Sequence, residues 1–306
     1  MSNTETTPTY RSGAASVPAD GSSTPEQRAA ALTFLQELAT EVSRGTVDLP
    51  CFSNVVVRIS EALMDPDTTS EQVVTIVGAE PRLAARLLQT ANSAAFNAIG
   101  KPVTDLRSAV TRIGQQMVQS IAISYAIKQM QYEDALRSIA QPLNDLWVKS
   151  IAAACLCQLV AERTKVRTDV AFLTGLLHGI GTLYIMAHVA TRSIDLATQR
   201  SRMEMLDGWE PPIGKAVLES WGFAEDMCDA VAEQRDYARK WQHDAGLTDV
   251  LIVSLLLADS LRMPEPREIA MDGSNAFASI GLTATDCQAT LIRAERRIAL
   301  VHDALK

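Results

Sequence analysis

Glu80-Pro81-Arg82-Leu83-Ala84-Ala85-Arg86-Leu87-Leu88-Gln89-Thr90-Ala91-Asn92-Ser93-Ala94 reads as one short helix with both ends marked. Pro81 suits the first helical position, where its fixed φ fits and its missing N–H would have no partner anyway. Leu83, Leu87 and Leu88 recur at helical spacing on one side. Asn92 and Ser93 carry short polar side chains that satisfy free carbonyls or start a turn, so the pair is read as a helix end and not as a catalytic serine.

The same punctuation continues outward from this stretch. Upstream, Thr69-Ser70-Glu71-Gln72 caps a helix with Val73, Val74, Ile76 and Val77 on its apolar side, and Gly78 stops it. Asp65-Pro66-Asp67 ends a preceding helix that carries Val55, Val56, Ile59 and Leu63, and Leu49-Pro50-Cys51-Phe52 is an extended lead-in to it. Thr24-Pro25-Glu26-Gln27 is a helix-start signal, followed by Ala31, Leu35, Leu38 and Val42 and a stop near Gly45. Residues 1–23, rich in Ser, Thr, Gly, Ala and Pro, are expected to be a disordered tail. Downstream, Thr104 caps a helix with Val110 and Ile113, and Gly114 separates it from an amphipathic run, Met117 to Met130. Further helices are expected at about 143–163, 169–190, 193–206, 211–221, 224–240, 247–261 and 283–304, with breaks at Gly208, Pro211-Pro212 and Pro264/Pro266. No period-2 stretch competes, so the fold class is all-α.

Composition agrees. Of 306 residues, 47% are apolar and only 5% aromatic, a mixture that fills a large core and favours helices. The formal net charge of -8, with no Lys/Arg run longer than two, argues against DNA or RNA as the main ligand. Cys51, Cys155, Cys157, Cys228 and Cys287 form no CxxC pair, and Cys155 and Cys157 point to different helix faces. They are read as small core-filling thiols in a reducing cytosol. Uninterrupted apolar runs fall short of the ~20 residues of a membrane helix, and no basic-then-apolar export signal opens the chain. A cytoplasmic protein with no membrane contact is expected. Walker, Gly-x-Gly-x-x-Gly, His-Glu-x-x-His and Gly-x-Ser-x-Gly motifs are absent.

An ordered set of motifs then resembles the HDOD family, relatives of the HD phosphohydrolases. It comprises Leu49-Pro50, Asp65-Pro66-Asp67, Glu80-Pro81 with Leu83 to Ala94, Pro102-Val103-Thr104-Asp105-Leu106, and Ala109-Val110 with Ile113-Gly114. Leu146-Trp147, Ala171-Phe172-Leu173 with Gly175-Leu176-Leu177-His178, and Trp221-Gly222-Phe223 follow. Glu80 stands where the family usually has Asp. The resemblance covers roughly 48–262. It implies a multi-helix HDOD fold with an N-terminal helical lobe (48–135) and a degenerate HD-like C-terminal lobe (140–262). A helix over 24–47 precedes it, and a helical extension over 263–306 follows.

HD enzymes hold one or two metals with His and Asp side chains, which activate water and polarise a phosphoryl oxygen. By the resemblance, the adjacent His-Asp pair falls at His178-Gly179, where the Asp is missing. Lys149, Glu210, Gln234 and Arg235 stand where histidines are expected, and only His178 and Asp259 match. Lys149 and Arg235 place positive charge where a dication would sit. At an effective dielectric of 20 and about 4 Å, that costs on the order of 4 kcal/mol per unit of metal charge. The expectation is a site with no metal and no cofactor, with Lys149 and Asp259 as a remnant ion pair. His178 alone reads as a satisfied buried histidine; His188, His243 and His302 read as ordinary residues.

Function is accordingly expected to be a non-catalytic adaptor with a protein partner in bacterial signalling, in the motility, stress, biofilm or cyclic-dinucleotide pathways the resemblance implies. The alternatives are a divergent phosphohydrolase using Glu210, Asp259 and His178, or a pseudo-enzyme that binds a nucleotide through Lys149 and Arg235. Assembly as a homodimer stays open. The amphipathic segment Leu282 to Leu305, with Leu291, Ile292, Ile298, Leu300 and Val301 against Arg293, Arg296 and Arg297, is expected to dock on its own domain.

Overall fold

The computed structural model describes parts of residues 33–41 and most of 47–305; positions 48, 51, 53, 66, 98, 99, 193–207, 241–243, 264–268, 270, 272 and 273 lie outside the description. The tail expected over 1–23, the Thr24 start signal, Cys51, His243 and the helix expected at 193–206 fall outside the described residues. Within them the chain is helical, with no strand.

The first half is a run of short helices: α1 (Asn54–Met64), α2 (Ser70–Gly78), α3 (Pro81–Ala91), α4 (Leu106–Ile113) and α5 (Gln115–Met130). The caps do what the sequence asks. Thr69 and Gln72 form a reciprocal capping box on α2, and Pro81 opens α3. Asp105, not Thr104, caps α4, its carboxylate accepting from the Ser108 N–H at 2.8 Å; the helix begins at Leu106, so the residue placed to reach the third amide is Asp105. Gly114 joins α4 to α5 at φ 83, a conformation that L side chains rarely adopt. Before α1, residues 33–41 are helical where described, with Phe34 and Leu38 buried four apart; of the expected Ala31, Leu35, Leu38 and Val42, the other three lie outside the description.

Asn92 does more than end α3. Its amide donates to the Val103 carbonyl at 2.8 Å and its carbonyl accepts from the Val103 N–H at 2.7 Å. That two-point clasp fixes the loop into α4.

The second half begins with a 3-10 turn, Asp134–Ile139, then α6 (Ala140–Ala161), α7 (Thr168–Leu177), α8 (Ile180–Thr191), α9 (Glu210–Ser220), α10 (Glu225–Ala232), α11 (Leu247–Ser260), α12 (Asn275–Ile280) and α13 (Ala284–Ala304). Two expectations are corrected. The single helix over 169–190 is broken at His178 and Gly179 into α7 and α8, because His178 turns its ring onto the preceding turn and Gly179 leaves helical geometry at low cost. The helix expected over 224–240 stops at Ala232, and 233–240 is a series of turns. The 3-10 turn and α12 had no counterpart in the sequence reading.

Helix α6 is the axis of the molecule, packed by α5, α7, α11 and α13. One core runs from Phe34 to Leu305, so the two lobes share it. Trp147, buried on α6, donates its indole N–H to Ser124 of α5 at 3.1 Å. His302 of α13 packs its ring 5.0 Å from the same indole, and Lys128 lies over it. Phe52 stacks on Trp221 at 4.9 Å, which joins the Leu-Pro lead-in to the Trp-Gly motif more than 160 residues away. Helix α13 lies along α6, burying Cys287, Thr290, Leu291, Ala294 and Val301, while Ile292 and Leu300 face outward. By average hydropathy, 134–161 and 168–191 reach the length and apolarity of membrane helices, yet 61% and 83% of their apolar windows are buried within the fold.

Candidate functional site

The positions singled out by sequence converge around the α7–α8 break. His178 caps α7, where its Nδ1 lies 2.8 Å from the Gly175 carbonyl. A carbonyl can only accept, so Nδ1 carries the proton. The ring is 7% exposed. Burial, above all, lowers its pKa to about 4; the Gly175 bond raises it, Lys149 lowers it, Asp259 raises it and Arg235 lowers it. His178 is therefore neutral at pH 7. Three of the distant positions named from sequence thus act on one imidazole.

The charged groups are matched in pairs. Lys149 Nζ on α6 lies 3.5 Å from Asp259 Oδ1 on α11, so the expected remnant ion pair is present. Arg235 pairs with Glu210 at the first position of α9. Both pairs are partly in solvent, where such contacts are worth about 0–1 kcal/mol. Their consequence is positional: each carboxylate faces a cation. Gln234 is buried and donates to the His178 carbonyl at 3.0 Å and to the Val231 carbonyl at 2.8 Å. It seals the backbone of the broken turn.

Two close approaches build this corner. At Gly179 a Cβ would stand 2.6 Å from Leu146 Cδ1, so a leucine methyl takes the room an aspartate would need. At Gly181 a Cβ would stand 2.0 Å from the Glu210 carbonyl and 2.8 Å from the Gly214 N. Helix α8 thus touches α9 backbone to backbone, and that contact sets Glu210 in place. Leu146, the Gly175 carbonyl and Gly181 were missed by sequence reasoning. Only the Gly175 carbonyl, three residues before His178 at a helix end, left a local signal.

The resemblance of the sequence to HD enzymes would imply a metal, and the residues present do not fit one. Divalent sites need several neutral imidazoles and free carboxylates. Here the set is one imidazole plus two carboxylates, each engaged by a cation. Among the described residues no three His, Cys, Asp or Glu side chains form a group able to hold an ion.

The HDOD domain matches residues 49–237. A crystal structure of a candidate metal-dependent phosphohydrolase from Shewanella amazonensis SB2B superposes with TM-score 0.67 at 23% identity, covering 91% of this chain and all of that one. An HDOD domain protein with unknown function from Geobacter sulfurreducens gives 0.59 at 20%, covering 90% and 98%. A candidate signal transduction protein from Marinobacter aquaeolei VT8 gives 0.61 at 20%, covering 91% and 66%. An uncharacterized protein of Treponema pallidum (strain Nichols) is 22% identical over 210 residues, 65% of this chain; the match spans 40% of that relative's length. The likenesses to solved structures establish the fold, and the match over 49–237 establishes the family: this chain belongs to the HDOD domain family.

Proposed function

We propose that this chain is a non-catalytic signal-transduction module, an HDOD domain that acts by binding a protein partner. One observation carries the reading: both carboxylates of the inherited pocket are engaged by lysine and arginine around a neutral, buried His178. A phosphoryl-transfer centre needs positive charge that is free to meet the substrate and a water whose proton can leave. One imidazole remains of the ligand set that the resemblance implies, and with Nδ1 donating to a backbone carbonyl it offers a single lone pair, on Nε2.

The test is turnover of a simple phosphodiester with manganese, comparing the wild-type chain with His178→Ala. Equal background rates support the proposal. Turnover that the variant loses overturns it in favour of a divergent phosphohydrolase.

A second reading has its own observation. Lys149 and Arg235 both bias the His178 ring, so both lie near it, and both are partly exposed. A nucleotide phosphate would meet two cations there. Calorimetry with a cyclic dinucleotide, repeated on Lys149→Ala, tests this pose: a loss of affinity in the variant supports it, and unchanged affinity rejects it.

A further inference from the structure

The segment between α10 and α11 turns where the sequence pattern predicts helix, and a single arginine in it contacts α10, α11 and α12. Arg239 has a side chain only 14% exposed. Its Nε lies 3.4 Å from Oδ1 of Asp249, a carboxylate 1% exposed in the first turn of α11. Its guanidinium also reaches Glu233, at the end of α10, at 3.3 Å. Its carbonyl accepts from Asn275 Nδ2, at the start of α12, at 3.0 Å. The second Asp249 oxygen accepts the Gly246 N–H at 2.9 Å.

This pair is a poor stabiliser. Burying two charges costs their hydration, and an apolar replacement of similar volume is often as stable or more so. Moreover the facing Arg239 Nε and Asp249 Oδ1 atoms do not reach hydrogen-bond geometry. What the pair does specify is direction. Helix α10 packs between α9 and α11. Were 233–240 helical, Arg235 and Arg239 would be four apart and share one face. Instead Arg235 reaches Glu210 on α9 and Arg239 reaches Asp249 on α11. The turns 233–236, 235–237 and 236–239 reconcile those two demands, each closed by a backbone bond.

We propose that Arg239, acting through Asp249 and Glu233, is the positioning residue that holds 233–239 so that Gln234 meets the His178 carbonyl and Arg235 meets Glu210. It sets the place of the charge that the reading above invokes, and rests on that reading's pocket. It does not depend on the outcome of the turnover assay, which leaves the comparison below untouched.

The experiment is hydrogen exchange by mass spectrometry on the full chain, with chemical denaturation alongside, for wild type, Arg239→Met and Arg239→Met/Asp249→Leu. Arg239→Met leaves Asp249 buried and unpaired; it is expected to lower the denaturation midpoint and speed exchange in 233–240 about tenfold. The double variant removes both charges, so its midpoint is expected to rise above that of Arg239→Met, short of wild type by the lost Gly246 N–H bond, while 233–240 stays fast. Recovery of loop protection together with the midpoint would show that the pair only stabilises, and would overturn the proposal. Unchanged loop exchange in folded Arg239→Met would do the same. If Arg239→Met does not fold, the double variant decides alone.

Discussion

His178 is the residue on which the pocket's chemistry can be read most directly. Its folded pKa lies at about 4, and an unfolded imidazole titrates near 6.5. Between those values the unfolded state binds the extra proton, so stability is complete above pH 6.5 and falls as pH drops toward 4. The loss reaches roughly 2 kcal/mol by pH 5 and roughly 3 kcal/mol by pH 4. Urea denaturation of wild type and His178→Gln is expected to show this share: the gap between them shrinks on going from pH 7 to pH 5. A gap that does not change with pH contradicts the buried, neutral ring. The neighbours set signs too. Lys149→Ala should raise the His178 pKa and Asp259→Asn should lower it, as followed by proton NMR of the ring. At this scale the sequence was informative wherever charge was concerned: Lys149 and Arg235 were legible as deviations and Asp259 as a match. The Leu146 methyl against Gly179 was not, because no sequence pattern states which side chain fills a missing one.

At the scale of elements, caps were legible and endings decided by distant partners were not. Thr69 with Gln72 and Pro81 act within one turn of chain, so a short window contains the whole cause. The stop at Ala232 depends on contacts at long sequence separation, such as Arg235 on Glu210, 25 residues away; the break after Leu177 starts locally, at His178 and Gly179, and Gln234 on the His178 carbonyl, 56 residues away, then seals it. The Gly181 contact belongs to this class as well. Gly181→Ala would place a methyl group 2.0 Å from the Glu210 carbonyl and force α8 from α9. A cost of about 3 kcal/mol is expected, measured as a lowered urea midpoint with unchanged slope. Asn92→Ala tests the opposite kind of position, where a short motif was visible and its partner was not. Losing both bonds to Val103 should cost about 2 kcal/mol in the same assay.

For the molecule as a whole, α13 is structural cover for α6 and a bridge between lobes. Leu291, Val301 and Leu305 are buried, and Thr90 of α3 donates to the Ala304 carbonyl at 3.1 Å. Three such apolar side chains at roughly 2 kcal/mol each come to roughly 6 kcal/mol. Deleting residues 283–306 is therefore expected to lower Tm by about 10 °C or more in calorimetry. The helical class and the family were legible because ordered motifs persist through the core. For the C-terminal lobe the sequence offered the departures at 149, 179, 234 and 235, and the proposed lack of metal chemistry rests on them. The most direct test of a pocket closed by its own ion pairs is metal content: load the purified chain with manganese, iron or zinc, remove free ion, and count bound metal by mass spectrometry. The predicted result is well below one ion per chain, unchanged in His178→Ala. One or two tightly held ions per chain, lost in that variant, would contradict it.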